Sequence, residues 1–383
     1  MVRVLGIDPG TKSFDLVVVE DGYVVWESSV ETRDVAEHPE KLIEAISSAG
    51  EVDAIAAPSG YGVPVTFSTD VLDPETFAYR VLLLSEPKEV VEAAKRGEPG
   101  MMVYYALARC VSKLCSIVEP PSVFIPGVVH LPTVYSWAKY NKVDLGTADK
   151  LAVTVLAVYQ LERLGCKPTF LLLEMGYGYN ALIYVEEGVV KWGLGGTSFS
   201  TGMLTAGPLD LEVVVAGRKW LRQDVFYGGV MPVCNVLDPL DALRKAREDE
   251  ECRNALNSMI NTMSMIIAGA SKKFKCSRLI VSGRLTQHPE LLKMIHESIP
   301  PDISMEVLQP LDGARISKHA AQGYALVVEG LLGGSARHVV SRMRIMDACG
   351  TCLDHVYHPR LFKAKRILIQ AYRSSVRRPK LCR

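Results

Sequence analysis

One arrangement of β strands and turns occurs twice in the chain, and it limits what the chain can fold into. Residues 2 to 30 predict three short strands, rich in β-branched residues and separated by turns. Residues 169 to 194 repeat this order: in both copies an acidic residue ends the first strand, and a glycine turn leads into the second. The copies share layout rather than residue identity. An internally duplicated chain is therefore the economical interpretation.

Helices and strands alternate between and after the two copies. Apolar residues at helical spacing predict helices over residues 39–48, 101–118, 148–164, 254–274, 289–298 and 316–332. Short apolar runs predict further strands over residues 54–57, 123–125 and 278–282. This alternation indicates α/β architecture, and a length of 383 residues favours two domains. We predict one domain over residues 1–146, a second over 147–333, and a C-terminal extension over 334–383.

Charge and composition narrow the classes of function. The 43 Lys and Arg residues balance 43 Asp and Glu residues, so no net field would attract nucleic acid or an anionic membrane. The N-terminal apolar run is broken by Asp8, Pro9 and Gly10, too early for a signal peptide, and no long uncharged apolar stretch follows. These features predict a cytoplasmic protein that binds a small-molecule substrate through a local site.

The cysteines and the basic C-terminal end suggest no separate function. Nine cysteines form no secreted disulfide framework, and we expect most of them to be reduced and buried. Cys349, Cys352, His355 and His358 are possible zinc ligands, although their spacing is tighter than that of common zinc motifs. Residues 360–383 are rich in Lys and Arg, and we expect them to fray as a solvated end.

The first candidate site is the turn that follows the first strand. Asp8 ends a strand predicted to be buried, and the turn after it exposes backbone N–H groups that can hold phosphate oxygens. Asp8 could hold a hydrated Mg²⁺ beside them. Gly10 permits close ligand approach, while Thr11, Lys12 and Ser13 add hydrogen-bond donors. An ordinary hairpin with a polar tip is the alternative.

The second candidate site lies at the matching place in the second copy. Glu174 would end a strand there and would be the second metal ligand beside Asp8. The turn residues predicted to contact the nucleotide are Gly176, Tyr177, Gly178 and Asn180. Two such hairpins facing each other across a cleft suit a nucleoside triphosphate, whose charge is best held from both sides with a metal between.

A third segment adds a possible contact to the nucleoside. Ser282, Gly283 and Arg284 follow an apolar strand and precede a helix, so the backbone can closely approach a purine or a ribose. The alternative is a plain turn between a strand and a helix.

The candidate reactive residues begin the helix predicted from residue 148. Asp149 could accept a proton from a substrate hydroxyl or orient a carboxylate substrate, and Lys150 could neutralise transferring phosphoryl charge. The alternative is an ordinary helix start capped by Thr147. Two glycine loops after strands are suited to shape a substrate pocket, or are simply tight turns; their residues are Ser59, Gly60, Tyr61, Gly195, Gly196 and Thr197.

The three segments, in this order, resemble those of the actin-like superfamily, which contains acetate and sugar kinases, heat-shock chaperone ATPases and actin. The resemblance spans residues 2–333, and Ala320–Ala325 looks like the family's second connecting helix, which implies a nucleotide contact for Gly323. More narrowly, PSGYG, LGTADKLA, EMGYGYNA, GLGGTS and VSGR resemble archaeal proteins described as predicted butyrate kinases. Departures from the family pattern are Glu174 in place of Asp, the pair Tyr179-Asn180, and Gly283-Arg284 in place of two glycines.

The resemblance implies two ribonuclease-H-like (actin-like) domains around an interdomain nucleotide cleft, with ATP and Mg²⁺ as cofactors. The leading hypothesis is a kinase that transfers the γ-phosphoryl group to a small acceptor, such as a short-chain carboxylate. A nucleotide-driven switch and an inactive ATP-binding relative are the alternatives. Paired apolar helices in the second domain are compatible with a homodimer.

Overall fold

The computed structural model describes residues 1 to 382, which form two compact units. The first unit contains Met1–Pro168, Glu187–Trp192 and the chain from Gln309 onward. The second unit contains Thr169–Glu186 and Gly193–Leu308. The predicted domain boundaries at residues 146 and 333 stay a prediction. The two compact units have different boundaries, because the buried helices Ala148–Arg163 and His319–Leu331 pack in the first unit.

The first unit is built on a six-stranded sheet. Its strands are β1 (Arg3–Pro9), β2 (Ser13–Glu20), β3 (Tyr23–Glu31), β4 (Ala54–Ala56), β5 (Thr66–Phe67) and β6 (Ser122–Phe124). They lie in the order β3-β2-β1-β4-β6-β5. Strands β1, β2 and β3 are antiparallel neighbours, whereas β1, β4 and β6 run parallel. The predicted three-strand start and the two later strands are confirmed.

The second unit is built on a five-stranded sheet. Its strands are β7 (Phe170–Met175), β8 (Asn180–Glu186), β9 (Val189–Gly195), β10 (Arg278–Ser282) and β11 (Ser304–Val307), in the order β11-β10-β7-β8-β9. Strand β7 pairs antiparallel with β8 and parallel with β10, just as β1 pairs antiparallel with β2 and parallel with β4. The sheet pairing therefore confirms the predicted duplication.

Helices connect these strands. In chain order they are α1 (Thr32–Glu37), α2 (Glu40–Ser48), α3 (Pro74–Thr76), α4 (Pro87–Lys95), α5 (Pro99–Ser116), α6 (Ser136–Lys139), α7 (Ala148–Arg163), α8 (Leu211–Gly217), α9 (Val230–Cys234), α10 (Pro239–Lys245), α11 (Glu250–Phe274), α12 (Pro289–Ser298), α13 (His319–Leu331), α14 (Arg337–Arg342) and α15 (Phe362–Ser375). Short 3₁₀ or π turns cover Ser68–Asp70, Phe77–Leu82, Val128–His130, Gly196–Ser198, Arg222–Phe226, Arg284–Gln287, Ile345–Asp347 and Pro359–Leu361. Within residues 1 to 382, none of the helices has the length and apolar character needed to cross a bilayer.

Helices α7 and α13 form the core of the first unit with its sheet. Helix α13 is buried from Ala320 to Gly330, because nearly all of its residues are small or apolar; the exceptions, Gln322 and Glu329, accept hydrogen bonds from backbone N–H groups. A Cβ on Gly323 would lie 2.1 Å from the carbonyl oxygen of Ala152 in α7, and one on Gly6 would lie 2.2 Å from that of Ala321. Glycines thus let the two helices and β1 approach to backbone contact.

The C-terminal end is ordered, so the prediction that it frays is wrong. Leu368, Ala371, Tyr372 and Ser375 are buried, at a spacing that gives α15 one apolar face. The backbone N–H of Arg377 donates to the carbonyl of Asp70 (2.8 Å), which ties the segment after the helix to the first unit. The basic residues lie on the other face of α15, which explains why composition alone was misleading. Arg383 lies outside the described residues.

The cysteine prediction holds only in part. Two disulfides are present, Cys234–Cys252 in the second unit and Cys349–Cys382 in the first. Five cysteines of the described chain form no disulfide, and of these Cys110, Cys276 and Cys352 are buried. Because Cys349 is bonded to Cys382, it is not available to the zinc site considered from the sequence. Within the described chain, no three His, Cys, Asp or Glu side chains group to hold a metal ion.

Two histidines, the buried His130 and the half-buried His319, predict that the first unit loses stability in mild acid. Burial lowers the pKa of His130 and of His319 from 6.5 to about 4. Between these values the unfolded chain binds protons that the folded chain does not, so the free energy of unfolding falls as pH falls from 6.5 towards 4. We expect His130 alone to lower the free energy of unfolding by about 2 kcal/mol between pH 7 and pH 5. Urea unfolding of the wild type and of His130→Gln at both pH values measures this, and an equal loss in both proteins would contradict it.

Candidate functional site

The first candidate site is the hairpin between β1 and β2. The N–H of Gly10 donates to the carbonyl of Ser13 (3.0 Å) and closes the turn, whose tip is Thr11 and the exposed Lys12. Thr32 anchors this tip: its hydroxyl donates to the carbonyl of Gly10 (2.6 Å), and its N–H donates to that of Lys12 (3.0 Å). The predicted phosphate residues of this unit therefore form one fixed turn.

Two buried carboxylates face each other across this hairpin. Asp8 and Asp15 are paired in the β1–β2 register and are only 5% and 3% exposed. The ammonium of Lys318 lies between them, 3.3 Å from Asp8 Oδ2 and 3.4 Å from Asp15 Oδ1, and it also donates to the carbonyl of Ser13 (3.1 Å). A Cβ on Gly10 would lie 2.5 Å from this nitrogen. The same Cβ would lie 2.8 Å from the carbonyl oxygen of Ser13, so a side chain at residue 10 would displace the lysine ammonium and disturb the turn.

Sequence reasoning missed Lys318, which lies about three hundred residues from Asp8 along the chain. Lys318 precedes α13, and its N–H donates to Asp15 Oδ2 (3.1 Å). Just before it, the N–H groups of residues 315, 316 and 317 donate to the carboxylate of Glu27 at 2.7 to 3.0 Å. These bonds hold the pKa of Glu27 below its usual value despite partial burial. The only sequence signal was a lysine at the start of the predicted connecting helix.

Asp149 and Lys150 begin α7, as predicted, and they belong to the same charged cluster as Asp8. Lys150 Nζ lies 2.5 Å from Asp149 Oδ2, and the hydroxyl of Thr147 donates to Asp149 instead of capping the helix. Burial raises the pKa of Asp8; Lys318 opposes this, while the charge of Asp149 adds to it. Burial and the charges of Asp149 and Asp8 also raise the pKa of Tyr324. The structure thus brings Asp8 and the two candidate reactive residues, Asp149 and Lys150, into one neighbourhood.

The predicted substrate loop after β4 supports the start of α7. The hydroxyl of Ser59 donates to the carbonyl of Ala57 (2.8 Å) and accepts from the N–H of Ile125 (2.9 Å). This hydroxyl therefore stabilises the local fold. The carbonyl of Gly60 accepts from the N–H of Ala148 (3.2 Å), and the N–H of Tyr61 donates to the carbonyl of Leu82 (2.9 Å). A substrate role for this loop stays a prediction.

The second hairpin repeats the first within the second unit. The N–H of Gly176 donates to the carbonyl of Tyr179 (2.9 Å), and Glu174, 7% exposed, is paired with Ala181 where the first hairpin pairs Asp8 with Asp15. The second acidic position of the first hairpin therefore has no counterpart here.

Gly283 lies beside this carboxylate. Its φ is +96°, and a Cβ would lie 2.2 Å from the carbonyl oxygen of Met175 and 2.6 Å from Glu174 Oε1. Ser282 before it is paired with Glu174 in the parallel β7–β10 register. Arg284 after it is half-buried, and its charge partly offsets the rise in the pKa of Tyr177 that burial and Asp238 cause. The second and third sequence segments therefore meet at one edge of the sheet.

Several predicted contacts have clear packing functions. Asn180 is 1% exposed, and its amide donates to Ser200 Oγ (3.4 Å) and to the carbonyl of Thr201 (3.2 Å). The carbonyl of Gly178 accepts from the N–H of Thr205 (3.3 Å). Gly195 and Gly196 are buried, and only Thr197 of that loop is exposed. Gly323 is fully enclosed at the α7–α13 contact, where a close helix crossing already accounts for a glycine.

The donor set of the first hairpin suits Mg²⁺ brought in with phosphates. Magnesium is usually held by one or two carboxylates together with waters and substrate phosphates, rather than by a complete protein cage. Asp8 and Asp15 are such carboxylates, and the part of the chain that the structure describes contains no larger metal-binding group. The close approach of Lys318 shows that this position already accepts a cation.

Comparison with solved structures supports the fold. An acetate kinase from Entamoeba histolytica superposes with a TM-score of 0.50 at 12% identity, covering 77% of this chain and 85% of that one. A ROK family glucokinase from Streptomyces griseus, solved with glucose and AMPPNP, gives a TM-score of 0.42 at 13% identity, covering 84% and 98%. The first likeness and the two duplicated sheets confirm the actin-like α/β fold.

Comparison by sequence identifies the family. No curated protein matches the chain at a significant level. The sequence pattern of a family described as "Protein of unknown function (DUF1464)" matches residues 6–358, which is most of the chain. The chain therefore belongs to the DUF1464 family.

Proposed function

We propose that this chain binds ATP with Mg²⁺ and transfers the γ-phosphoryl group to a small acceptor. The observation that carries the proposal is the first hairpin, where a buried carboxylate, a closed glycine turn and a half-buried lysine lie together at the end of β1. Such a turn offers backbone N–H groups to phosphate oxygens, and a carboxylate beside it suits a magnesium ion.

Each residue of the first unit would have a distinct role. Asp8 would hold the magnesium ion directly or through water, and the turn from Gly10 to Ser13 would contact the phosphates. Lys150 would stabilise negative charge during transfer. Asp149 would accept the proton of a hydroxyl acceptor or orient an acceptor that is already ionised. ATP with Mg²⁺ would supply the activated phosphoryl group.

The second unit would contribute contacts to the nucleotide. Glu174 would be a further metal ligand, and Gly176, Tyr177 and Gly178 would form its phosphate turn. Gly283 leaves the backbone open beside Glu174, and Arg284 would stack on the purine. The interdomain cleft predicted from the sequence stays a prediction, as does the homodimer.

The proposal that the acceptor is a short carboxylate rests on the resemblance to predicted butyrate kinases. A short carboxylate is already ionised near neutral pH and needs no base. Asp149 would then matter for position rather than for proton removal, which agrees with its hydrogen bonds to Thr147 and Lys150.

A nucleotide-driven switch is the second candidate, because of Lys318. This lysine joins the hairpin to the start of α13 through Asp8, Asp15 and Ser13. Phosphates that drew its ammonium away would also pull on α13. Acceptor-independent ATP turnover, together with a stable protein partner, would favour this candidate.

The kinase proposal is tested with purified protein, ATP, MgCl₂ and a panel of short carboxylates, sugars and alcohols. We expect ADP to form together with an acyl phosphate or phosphate ester for one acceptor class, and to stop when EDTA removes the metal. If neither product nor ADP exceeds the level of an Asp8→Asn blank for any acceptor, the proposal is wrong.

A further inference from the structure

A buried lysine without an acidic partner lies away from the hairpin, in the segment that follows β6. The side chain of Lys139 is 7% exposed, and its ammonium donates to the carbonyl of Leu131 (2.6 Å). Among residues 1 to 382, no Asp or Glu forms an ion pair with it. An ammonium has three donors, and a buried charge without a counter-ion is costly. Burial accordingly lowers its pKa from 10.5 to about 8.

Two histidines lie near this ammonium. His130 is 3% exposed, its Nδ1 contacts the backbone of Gly127 (3.3 Å), and its Nε2 is buried without a hydrogen-bond partner in the described chain. When Nδ1 accepts the N–H of Gly127, Nε2 carries the proton and can donate. Burial lowers the pKa of the half-buried His355, and the charge of Lys139 contributes. The three side chains thus form one basic group.

The acidic side chain that acts on both histidines is Asp354, and its carboxylate is already engaged. The charge of Asp354 raises the pKa of both His130 and His355. Its carboxylate accepts from the N–H and the hydroxyl of Thr351, at 3.0 and 2.7 Å. The donors of Lys139 and His130 are therefore left for an anion from outside the chain, which would supply the missing counter-charge.

Exposed aromatic rings flank the same segments. Tyr140 follows Lys139, Tyr357 follows His355 by two residues, and their rings stack with centroids 4.9 Å apart. Asn141 ties the two segments together, since its N–H donates to the carbonyl of His355 (2.9 Å) and its side chain accepts from the N–H of Tyr357 (2.7 Å). Tyr140 and Tyr357 are 61% and 50% exposed. The ammonium of Lys365 lies over the Tyr357 ring, 5.8 Å from its centroid, so the ring of Tyr140 offers the more open apolar surface beside the basic group.

We propose that this cluster binds a small aromatic carboxylic acid, with its carboxylate at Lys139 and its ring against Tyr140 and Tyr357. The carboxylate supplies the counter-ion that the buried ammonium lacks. The ring extends the existing aromatic stack, which offset or edge-on contact stabilises. This site is independent of the phosphoryl transfer proposed above, because binding needs neither nucleotide nor metal.

The test is calorimetric titration of the full chain with benzoate at pH 7 and fixed ionic strength, without ATP. We expect a Kd on the order of 1 mM for benzoate. Benzamide has the same shape but no charge, and acetate has the charge but no ring, so both should bind at least several-fold more weakly. Equal affinity for benzoate and benzamide, or a preference for inorganic phosphate over benzoate, would overturn the proposal.

Variants separate the carboxylate contact from the ring contact. Lys139→Met should weaken benzoate about 10-fold or more, because it removes a charge-assisted hydrogen bond. This variant should fold, since it removes a charge that burial disfavours. Tyr140→Ala should weaken benzoate several-fold and leave acetate unchanged. Lys363→Met, at an exposed position of α15, is the matched control and should change nothing. Unchanged benzoate affinity in Lys139→Met would contradict the placement of the carboxylate at Lys139.

The pH dependence gives a further readout. Benzoate is ionised throughout the neutral range, so its affinity should follow the protonation of Lys139, whose pKa is about 8. The charges of Lys139 and Asp354 act on both His130 and His355, and that of Lys365 acts on His355; their lowered pKa values keep both histidines neutral over this range. We expect about a 10-fold loss of affinity from pH 7 to pH 9. A flat profile would contradict the proposal.

Discussion

Asp8→Asn is expected to lower kcat for phosphoryl transfer about 100- to 1,000-fold while leaving the protein folded. The amide keeps the shape of the carboxylate but supplies no negative charge to a magnesium ion. The fold should tolerate the change, because burial already disfavours the ionised form and raises the pKa of Asp8. Lys318 keeps Asp15 as a partner. The measurement is the steady-state rate with ATP and the best acceptor, together with thermal unfolding.

The matched control is Asp21→Asn. Asp21 lies in the exposed turn at the other end of β2, with φ of +49°, a conformation that asparagine tolerates well. Asp21→Asn also replaces a carboxylate with an amide in the same three-strand motif, and we expect it to leave kcat unchanged. Comparable activity of Asp8→Asn and Asp21→Asn would show that the hairpin carboxylate takes no part in the reaction.

Gly323→Ala is expected to destabilise the protein by about 3 kcal/mol or more, although it adds a single methyl group to a helix. The new Cβ would lie 2.1 Å from the carbonyl oxygen of Ala152, so α7 and α13 would have to separate. Both helices are buried, and separating them loosens the core of the first unit. Urea unfolding measures the change in the free energy of unfolding.

Gly269→Ala is its matched control, with the opposite sign expected. Gly269 lies within the 25-residue helix α11, is exposed, and has no atom within 4 Å of an added Cβ. Alanine there should stabilise the protein by about 0.5 to 1 kcal/mol through helix propensity. If both variants shifted stability in the same direction and by a similar amount, close helix packing at Gly323 would be excluded as its cause.

These variants also show where sequence reasoning stopped being sufficient. The hairpin residues from Asp8 to Ser13 could be predicted, because strand alternation, an acidic strand end and a glycine turn are local features. Lys318 could not, since its contact with Asp8 depends on how α13 returns to β1. Gly323 was assigned to the nucleotide by resemblance, and only its distance from Ala152 reveals a packing requirement. The basic tail looked solvated by composition, yet one face of α15 is buried.

The sequence by itself determined the two three-strand starts, the α/β class and the turns at Gly10, Gly176 and Gly283, because these follow from residue patterns over a few positions. The tertiary structure alone decided which charges meet: Lys318 with Asp8 and Asp15, and Lys139 with two histidines and, among residues 1 to 382, without an ion-paired acid. Such pairings join residues far apart in the chain. Their energies depend on burial and distance, which local sequence does not encode.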